Sequence, residues 1–507
     1  MNIKNIKTYI LSGILALSMS SCLDKYPEDS IRMDEAINTV DDMDKLVYGI
    51  YDSFKSSALY SGNLTILPDL QADFVYCVKG YSNAYGDIYR WKDIKATNTD
   101  IESVYAGLYG VINTANFLLD NVDKVKANTN SDKELDKLEQ CEGEAYFARA
   151  LAYSELIKCF CKAYDSDEQA EKELGVVLTE HYYGNEPQKR ATLKESYDFV
   201  LRDLDKAAEY LKVDEDFTGT LYDEIYFNEY ACHALRARVS LYMHRWDDAI
   251  KYASKVIDSK YYVLASCTQK IGNTSYYQYQ WTAGKSTEGI WKVGFTVNSY
   301  GGALGTIFDN YNYVSYRPDY VPETWVINSF DANDLRAAAI FTTRTTGYEH
   351  GLQWPLLSKY FGDAEFLNNN ILHVHQPMVF RLSEQYLIRA EAYAMNGEYG
   401  KAGKDISTLR TARYSSYGGN TSMSDESSAM KIIEAERVKE LYMEGFRLND
   451  LKRWHKGFER KAADQPAANF VQSSLKVEKD DPLFVWPIPQ HELEAPGSEI
   501  QPNESNK

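Results

Sequence analysis

Glu440 and Glu444 lie one helical turn apart and are the residues of this chain whose types and spacing could perform chemistry. A glycosidase needs such a pair of carboxylates, one as a general acid and the other as a base or nucleophile. Arg437 and Arg447 lie three residues from these glutamates on a predicted helix, and a nearby cation keeps a carboxylate ionised. A general acid must instead hold a proton. We therefore favour a salt-bridged helix surface over a catalytic pair, and we predict no catalytic residues.

The stretch that carries these glutamates, residues 435–457, is predicted to be one helix packed against a core. Its apolar residues recur every three or four positions, which places them on one side of a helix. They are Ala435, Val438, Leu441, Tyr442, Gly445 and Phe446. The helix that positions the charged residues is thus predicted to be held by apolar packing.

The same stretch resembles the C-terminal motif of the SusD/RagB family. The residues that carry the resemblance are Glu436, Arg437, Glu440, Leu441, Glu444, Gly445, Arg447, Asp450, Leu451, Arg453 and Trp454. Segments 112–116, 144–150 and 487–493 resemble further signatures of the family, although segments 495–497 and 501–503 depart from its usual closing residues. The resemblance implies a mostly α, SusD-like fold in which tetratricopeptide-like helix pairs support an irregular, loop-rich half.

The N-terminus is predicted to be a lipoprotein signal peptide. Lys4 and Lys7 form a basic start, and residues 10–19 form an apolar run too short to span a bilayer. The small residues before Cys22 resemble a lipobox, so Cys22 is the predicted site of lipidation; the alternative is an ordinary signal peptide followed by a chance cysteine. We predict a signal peptide over 1–21 and a single SusD-like domain over 22–507, anchored to a membrane by its lipid.

The composition excludes several classes of function. The formal net charge of −19 argues against binding to nucleic acid or to anionic lipid, since proteins that do so are basic. The seven cysteines and eight histidines show no zinc-ligand spacing, so we predict no metal site and no cofactor. The 41 tyrosines and 8 tryptophans offer flat apolar faces with polar tips, which suit sugar rings, interfaces and helical cores alike.

Helical spacing divides the chain into a scaffold and a loop-rich half. The predicted helical scaffold covers about 36–55, 102–258 and 383–457. Within it, segments 234–250 and 386–402 each resemble half of a tetratricopeptide repeat, with Trp246 or Tyr399 opening the second helix and alanine following three residues later. The loop-rich half covers about 56–101 and 260–382, where helical spacing vanishes and Gly, Asn, Tyr and Thr dominate.

Loops of such length are uncommon unless they are functional, and the family resemblance implies that the ligand site lies on this half. The candidate ligand-binding residues are Tyr85, Tyr89, Trp91, Asn98, Trp281, Tyr300, Tyr311 and Tyr313. The resemblance implies a cell-surface lipoprotein of the outer membrane that captures a glycan and delivers it to a SusC-like TonB-dependent transporter. A peptide ligand stays open as the alternative, and a hydrolase lacks any supporting motif.

Overall fold

The computed structural model describes residues 36–184, 188–212, 224–348, 351, 353–461 and 474–507. The predicted signal peptide and the lipidation site Cys22 lie outside the described residues.

Helices dominate the described backbone, and the predicted mostly α fold is confirmed. We number the helices in chain order. They are α1 Val40–Phe54, α2 Asn63–Gln71, α3 Gly86–Tyr89, α4 Thr99–Asn128, α5 Asp132–Phe160, α6 Asp167–Ala170, α7 Leu193–Tyr210, α8 Glu229–Tyr242, α9 Trp246–Asp258, α10 Tyr276–Thr282, α11 Thr306–Asp309, α12 Thr324–Asn328, α13 Arg336–Ile340, α14 Ala364–Asn368, α15 Leu382–Met395, α16 Tyr399–Arg413, α17 Glu426–Glu440, α18 Arg447–Arg453 and α19 Gln490–Glu494. Within the described ranges, no helix is both long and apolar enough to cross a membrane.

The strands form short antiparallel ribbons of two strands each rather than a continuous sheet. The pairs are β1 Val75–Cys77 with β7 Tyr320–Pro322, β2 Leu174–Val177 with β3 Arg190–Thr192, β4 Lys270–Ile271 with β5 Thr274–Ser275, β6 Gly289–Lys292 with β10 Met378–Arg381, β8 Phe341–Thr345 with β9 Gln353–Leu357, and β11 Phe458–Arg460 with β12 Leu475–Val477. Most of them lie in the part of the chain predicted to be loop-rich, where they alternate with helices of four to nine residues.

The longest helices follow the predicted apolar stripes. α4 begins where the Asn98 side chain accepts hydrogen bonds from the backbone N–H groups of Asp100 and Ile101, at 3.1 Å each, which satisfies two of the unpaired donors of a helix start. Its apolar stripe is buried against α5, which contributes small residues such as Ala145 and Ala148 to the contact. Small side chains allow the two helix axes to approach closely.

The two predicted tetratricopeptide-like units are confirmed as the helix pairs α8–α9 and α15–α16. Trp246 and Tyr399 each open the second helix, and the alanines three residues later, Ala249 and Ala402, are fully buried between the paired helices. α9 also packs against α15, so the two pairs are neighbours although they are far apart in sequence.

The prediction of one helix over 435–457 is wrong, because the chain turns between α17 and α18. Gly445 has a φ of +82°, a left-handed conformation that favours glycine. A Cβ at this position would lie 3.2 Å from backbone oxygens of α2. The Asp69 carboxylate of α2 accepts the N–H groups of Gly445 at 2.9 Å and Arg447 at 2.7 Å. Packing on α2 therefore overrides the helical spacing of the sequence.

Candidate ligand-binding surface

The two glutamates that could perform chemistry lie inside a buried network of ion pairs. Glu440 is fully buried, and its carboxylate accepts hydrogen bonds from Arg336 at 3.0 Å, Arg381 at 3.0 Å and Arg413 at 2.8 Å. Glu444 accepts two hydrogen bonds from Arg381, at 2.8 and 2.9 Å. Every oxygen of this carboxylate pair is thus engaged by a cation.

This environment is opposite to the one that a general acid needs. Burial alone would raise the pKa of the Glu440 carboxyl, but Arg413, Arg381 and Arg336 hold that pKa well below its usual range. Glu440 therefore stays ionised at neutral pH and cannot donate a proton. Its role in the described structure is to supply one negative charge that contacts three buried guanidinium groups.

The predicted partners of these glutamates are corrected by the structure. Arg437 pairs with Asp450 at 2.7 Å, and Arg447 pairs with Asp73 at 2.8 Å. Glu444 lies in the turn between α17 and α18, so its spacing of three residues from Arg447 does not bring these two charges together as it would on a helix. The arginines that do surround Glu440 come from segments 27 to 104 residues away in sequence.

Two of the predicted ligand-binding aromatics are buried. Trp281 is 1% exposed, and the Lys359 ammonium group lies 3.9 Å from the centre of its ring. Tyr89 has no exposed surface, and its hydroxyl accepts the backbone N–H of Cys77 at 3.3 Å. A ligand on the protein surface cannot contact either ring, so we withdraw both residues from the candidate set.

Three further candidates have structural contacts that account for them. Trp91 donates its indole N–H to the Gln71 carbonyl, and its ring packs on Phe458 and Phe484. Asn98 is the cap of α4. Tyr85 immediately precedes α3 in a left-handed conformation, with its ring partly buried against the core. These three residues hold segments of the loop-rich half in place.

The remaining candidates, Tyr300, Tyr311 and Tyr313, lie at the surface. Tyr311 stacks on Tyr316, with ring centres 4.5 Å apart and ring planes 23° apart. Tyr313 is 56% exposed, and its ring centre lies 5.9 Å from that of Tyr311. We call Tyr311, Tyr313 and Tyr316 the tyrosine surface.

A firm base supports the tyrosine surface. The backbone N–H of Tyr311 donates to Nε2 of the buried His373 at 3.0 Å, and the Tyr311 ring also packs on Phe361. Burial lowers the pKa of His373, so the imidazole is neutral and able to accept this hydrogen bond. Tyr300, 44% exposed, packs on Phe366 of the same supporting segment. The segment from Phe361 to His373 thus carries both groups of exposed aromatics.

Sequence reasoning missed Tyr316 and Phe361, which complete the aromatic cluster. Tyr316 follows Tyr311 and Tyr313 in one short stretch, so tyrosine spacing alone could have indicated it. Phe361 lies 45 residues beyond Tyr316, and no local signal in the sequence points to it. In the portion of the chain that the structure describes, no group of three or more His, Cys, Asp or Glu side chains could hold a metal ion.

Comparison with protein families gives two matches over separate parts of the chain. The SusD family matches residues 341–503, and a SusD-like family described as starch-binding and associating with the outer membrane matches residues 22–241. The second match includes the scaffold helices α1, α4, α5 and α7 and most of α8, and the first includes the motif around Glu440. Comparison with curated proteins gives no match.

The fold is similar to those of solved SusD superfamily proteins. One from Bacteroides thetaiotaomicron VPI-5482 is 24% identical with a TM-score of 0.75, covering 92% of this chain and 99% of its own. One from Bacteroides vulgatus ATCC 8482 is 23% identical with a TM-score of 0.73, covering 93% and 100%. The surface glycan-binding protein A of Bacteroides fluxus is 19% identical with a TM-score of 0.67, covering 92% and 100%. The solved structures show a shared fold, and the two family matches, which together span most of the chain, show that it belongs to the SusD/RagB family.

Proposed function

We propose that this protein is a lipoprotein of the outer cell surface that binds a glycan and delivers it to a SusC-like TonB-dependent transporter. It captures its ligand without performing chemistry on it. The observation that carries the proposal is the tyrosine surface, in which the exposed Tyr313 lies beside the half-buried rings of Tyr311 and Tyr316 in the loop-rich half.

Aromatic rings of this kind suit the faces of sugars. The ring of a sugar has flat patches of C–H groups that stack on an aromatic face, while its hydroxyls need hydrogen-bond partners nearby. The exposed Tyr313 supplies the aromatic face. Asn312 precedes it in the chain, and Asn370 lies beside it in space, with its backbone carbonyl oxygen 3.4 Å from the Tyr313 hydroxyl. Asparagine side chains can both donate to and accept from a hydroxyl.

The family and the relatives add support. One matching family is described as starch-binding and associating with the outer membrane, and the relative from Bacteroides fluxus is named a surface glycan-binding protein. The predicted signal peptide and Cys22 are consistent with attachment to that membrane through a lipid. Residues 56–101 and 260–382 are proposed as the ligand half and the remaining helices as its scaffold.

Binding is tested with the variants Tyr313→Ala and Tyr311→Ala, titrated calorimetrically against a glycan that the wild type binds. Removal of an anchoring aromatic typically costs about 2 kcal/mol, which corresponds to roughly thirtyfold weaker binding. Tyr183→Ala is the matched control, because Tyr183 is 74% exposed but packs, through Tyr182, on Phe117 of α4. The control should bind as the wild type does.

Wild-type affinity in both Tyr311→Ala and Tyr313→Ala would contradict the proposed site. Binding of peptides but of no glycan would contradict the proposed ligand class. Delivery is tested by gentle detergent extraction of the membrane, in which the protein should co-purify with a TonB-dependent transporter; isolation of the lipoprotein without any transporter would contradict that part.

A further inference from the structure

We propose that the tyrosine surface takes an anionic glycan, one that carries carboxylate or sulfate groups, rather than a neutral one. This inference rests on the proposed function and names the chemical class of its ligand. It is carried by two arginines: Arg344, which lies over the Tyr316 ring, and Arg317, which follows Tyr316 in the chain.

Both arginines are placed on tyrosine rings. The Arg344 guanidinium carbon lies 5.1 Å from the centre of the Tyr316 ring, and Tyr316 is the residue on which Tyr311 stacks. The Arg317 guanidinium carbon lies 6.0 Å from the centre of the Tyr348 ring. Stacking on a ring orients a guanidinium group but leaves its N–H groups, at the edge of the plane, available for an anion.

Neither arginine forms an ion pair with a carboxylate in the described parts of the chain. This is unusual for this protein, whose other arginines are mostly paired. Arg202 of α7, itself at the surface, pairs with Glu180 at 3.0 Å. In a chain of net charge −19, two exposed arginines that have no carboxylate partner among the described residues indicate a local positive potential.

Asp309, a carboxyl group that interacts with Arg344 in the described structure, does not cancel the charge of Arg344. Asp309 is 2% exposed, and burial raises the pKa of its carboxyl to about 8, opposed by Arg344, so Asp309 is largely uncharged at neutral pH. Asp319, which lies near Tyr348, accepts hydrogen bonds from the backbone N–H and the hydroxyl of Ser82, at 2.7 and 2.8 Å, and these bonds leave its negative charge in place.

The arrangement combines two kinds of recognition. Tyr311 and Tyr313 offer rings for stacking, while Arg317 and Arg344 offer planar groups of N–H donors that match a carboxylate or sulfate with two parallel hydrogen bonds. An anionic sugar residue uses both, whereas a neutral sugar uses only the rings.

The test measures binding of the wild type, of Arg344→Gln and of Arg317→Gln to pairs of polymers that differ only in charge. Polygalacturonate is paired with its methyl ester, and chondroitin sulfate with chemically desulfated chondroitin; starch, xylan and alginate complete the set. Arg202→Gln, which removes the same charge from α7, is the matched control. Arg344→Lys keeps the charge but loses the planar fork of donors.

We expect the wild type to bind an anionic member of the set. The affinity should be roughly three- to tenfold weaker in Arg317→Gln and in Arg344→Gln and unchanged in the control Arg202→Gln. Arg344→Lys should restore part of the affinity that Arg344→Gln loses. Binding should weaken as salt is raised, because exposed charges are screened. Loss of affinity on esterification points to a carboxylate, and loss on desulfation to a sulfate.

Binding to starch or xylan with no preference for any anionic polymer would overturn this inference and leave the proposed function standing. Binding to an anionic polymer that is unaffected in both Arg→Gln variants would also overturn it. Failure to bind any member of the set would overturn the proposed function, and this inference with it.

Discussion

Replacement of Glu440 by glutamine should destabilise the protein without affecting ligand binding. The ion pairs around Glu440 contain one more cation than carboxylate. The cations are Arg336, Lys359, Arg381, Arg410, Arg413 and Lys439, and the carboxylates are Glu288, Asp334, Glu436, Glu440 and Glu444. Glu440→Gln keeps the shape of the side chain but leaves three guanidinium groups without a shared counter-charge.

The expected loss follows from the burial of these groups. Breaking a buried ion pair by removing one partner costs about 3–5 kcal/mol. The entropy of unfolding at the melting temperature is about 1 kcal/mol per kelvin for a chain of this length, so Tm should fall by about 3–5 °C.

Because the folded pKa of Glu440 is lowered, its contribution is present above the unfolded pKa and lost as pH falls through the folded pKa. The difference in Tm between the wild type and Glu440→Gln should therefore have its full size at pH 7 and become smaller as the pH falls below about 4.5.

Scanning calorimetry at pH 7 and pH 4 measures both effects. Glu426→Gln is the matched control, since Glu426 is exposed at the start of the same helix, and it should change Tm by less than about 1 °C. A Glu440→Gln variant as stable as this control would refute the role assigned to the network. Loss of a measurable glycan-hydrolysing activity at unchanged Tm would instead restore the catalytic interpretation of Glu440.

Three further variants test other parts of the structure. Cys22→Ala should release the protein from membrane fractions, as judged by fractionation and immunoblotting; retention at the wild-type level in a strain without the transporter would contradict the lipid anchor. The Tm of Asp309→Asn relative to that of the wild type should rise between pH 4 and pH 8. The folded pKa of Asp309 is raised, so the wild type loses stability over that interval, whereas asparagine does not titrate. A Tm difference that does not depend on pH would contradict this. Trp281→Ala should lower the free energy of unfolding by about 3–5 kcal/mol in denaturant titrations, while the folded protein keeps its ligand affinity. Weaker ligand binding at unchanged stability would show instead that Trp281 belongs to the ligand site.

The helical scaffold could be predicted from the sequence because its signal is local. The apolar stripe of α4 and the Trp246 and Tyr399 openings of the paired helices repeat at helical spacing, and the structure places all of them as expected. The turn at Gly445 could not be predicted in this way, since its cause is the contact with Asp69, which lies more than 370 residues away.

The candidate site could be predicted only in part, for a related physical reason. In a stretch without periodic spacing, nothing in the sequence separates an aromatic that faces solvent from one that faces the core. Trp281 and Tyr313 both lie among tyrosines and polar residues, yet Trp281 is buried under Lys359 and Tyr313 is exposed. Only the fold, which brings Phe361 and His373 beneath Tyr311, distinguishes the two environments.

The buried network of ion pairs around Glu440 also bears on how the protein could move during the proposed delivery of a glycan. Arg381 joins Glu288 of the loop-rich half to Glu440 and Glu444 of the helical half. A hinge opening between the halves would have to break these buried ion pairs and hydrogen bonds in one step, so we expect the halves to move as one rigid body. Delivery of a glycan, as proposed above, would then require movement of the whole protein rather than an opening between its halves.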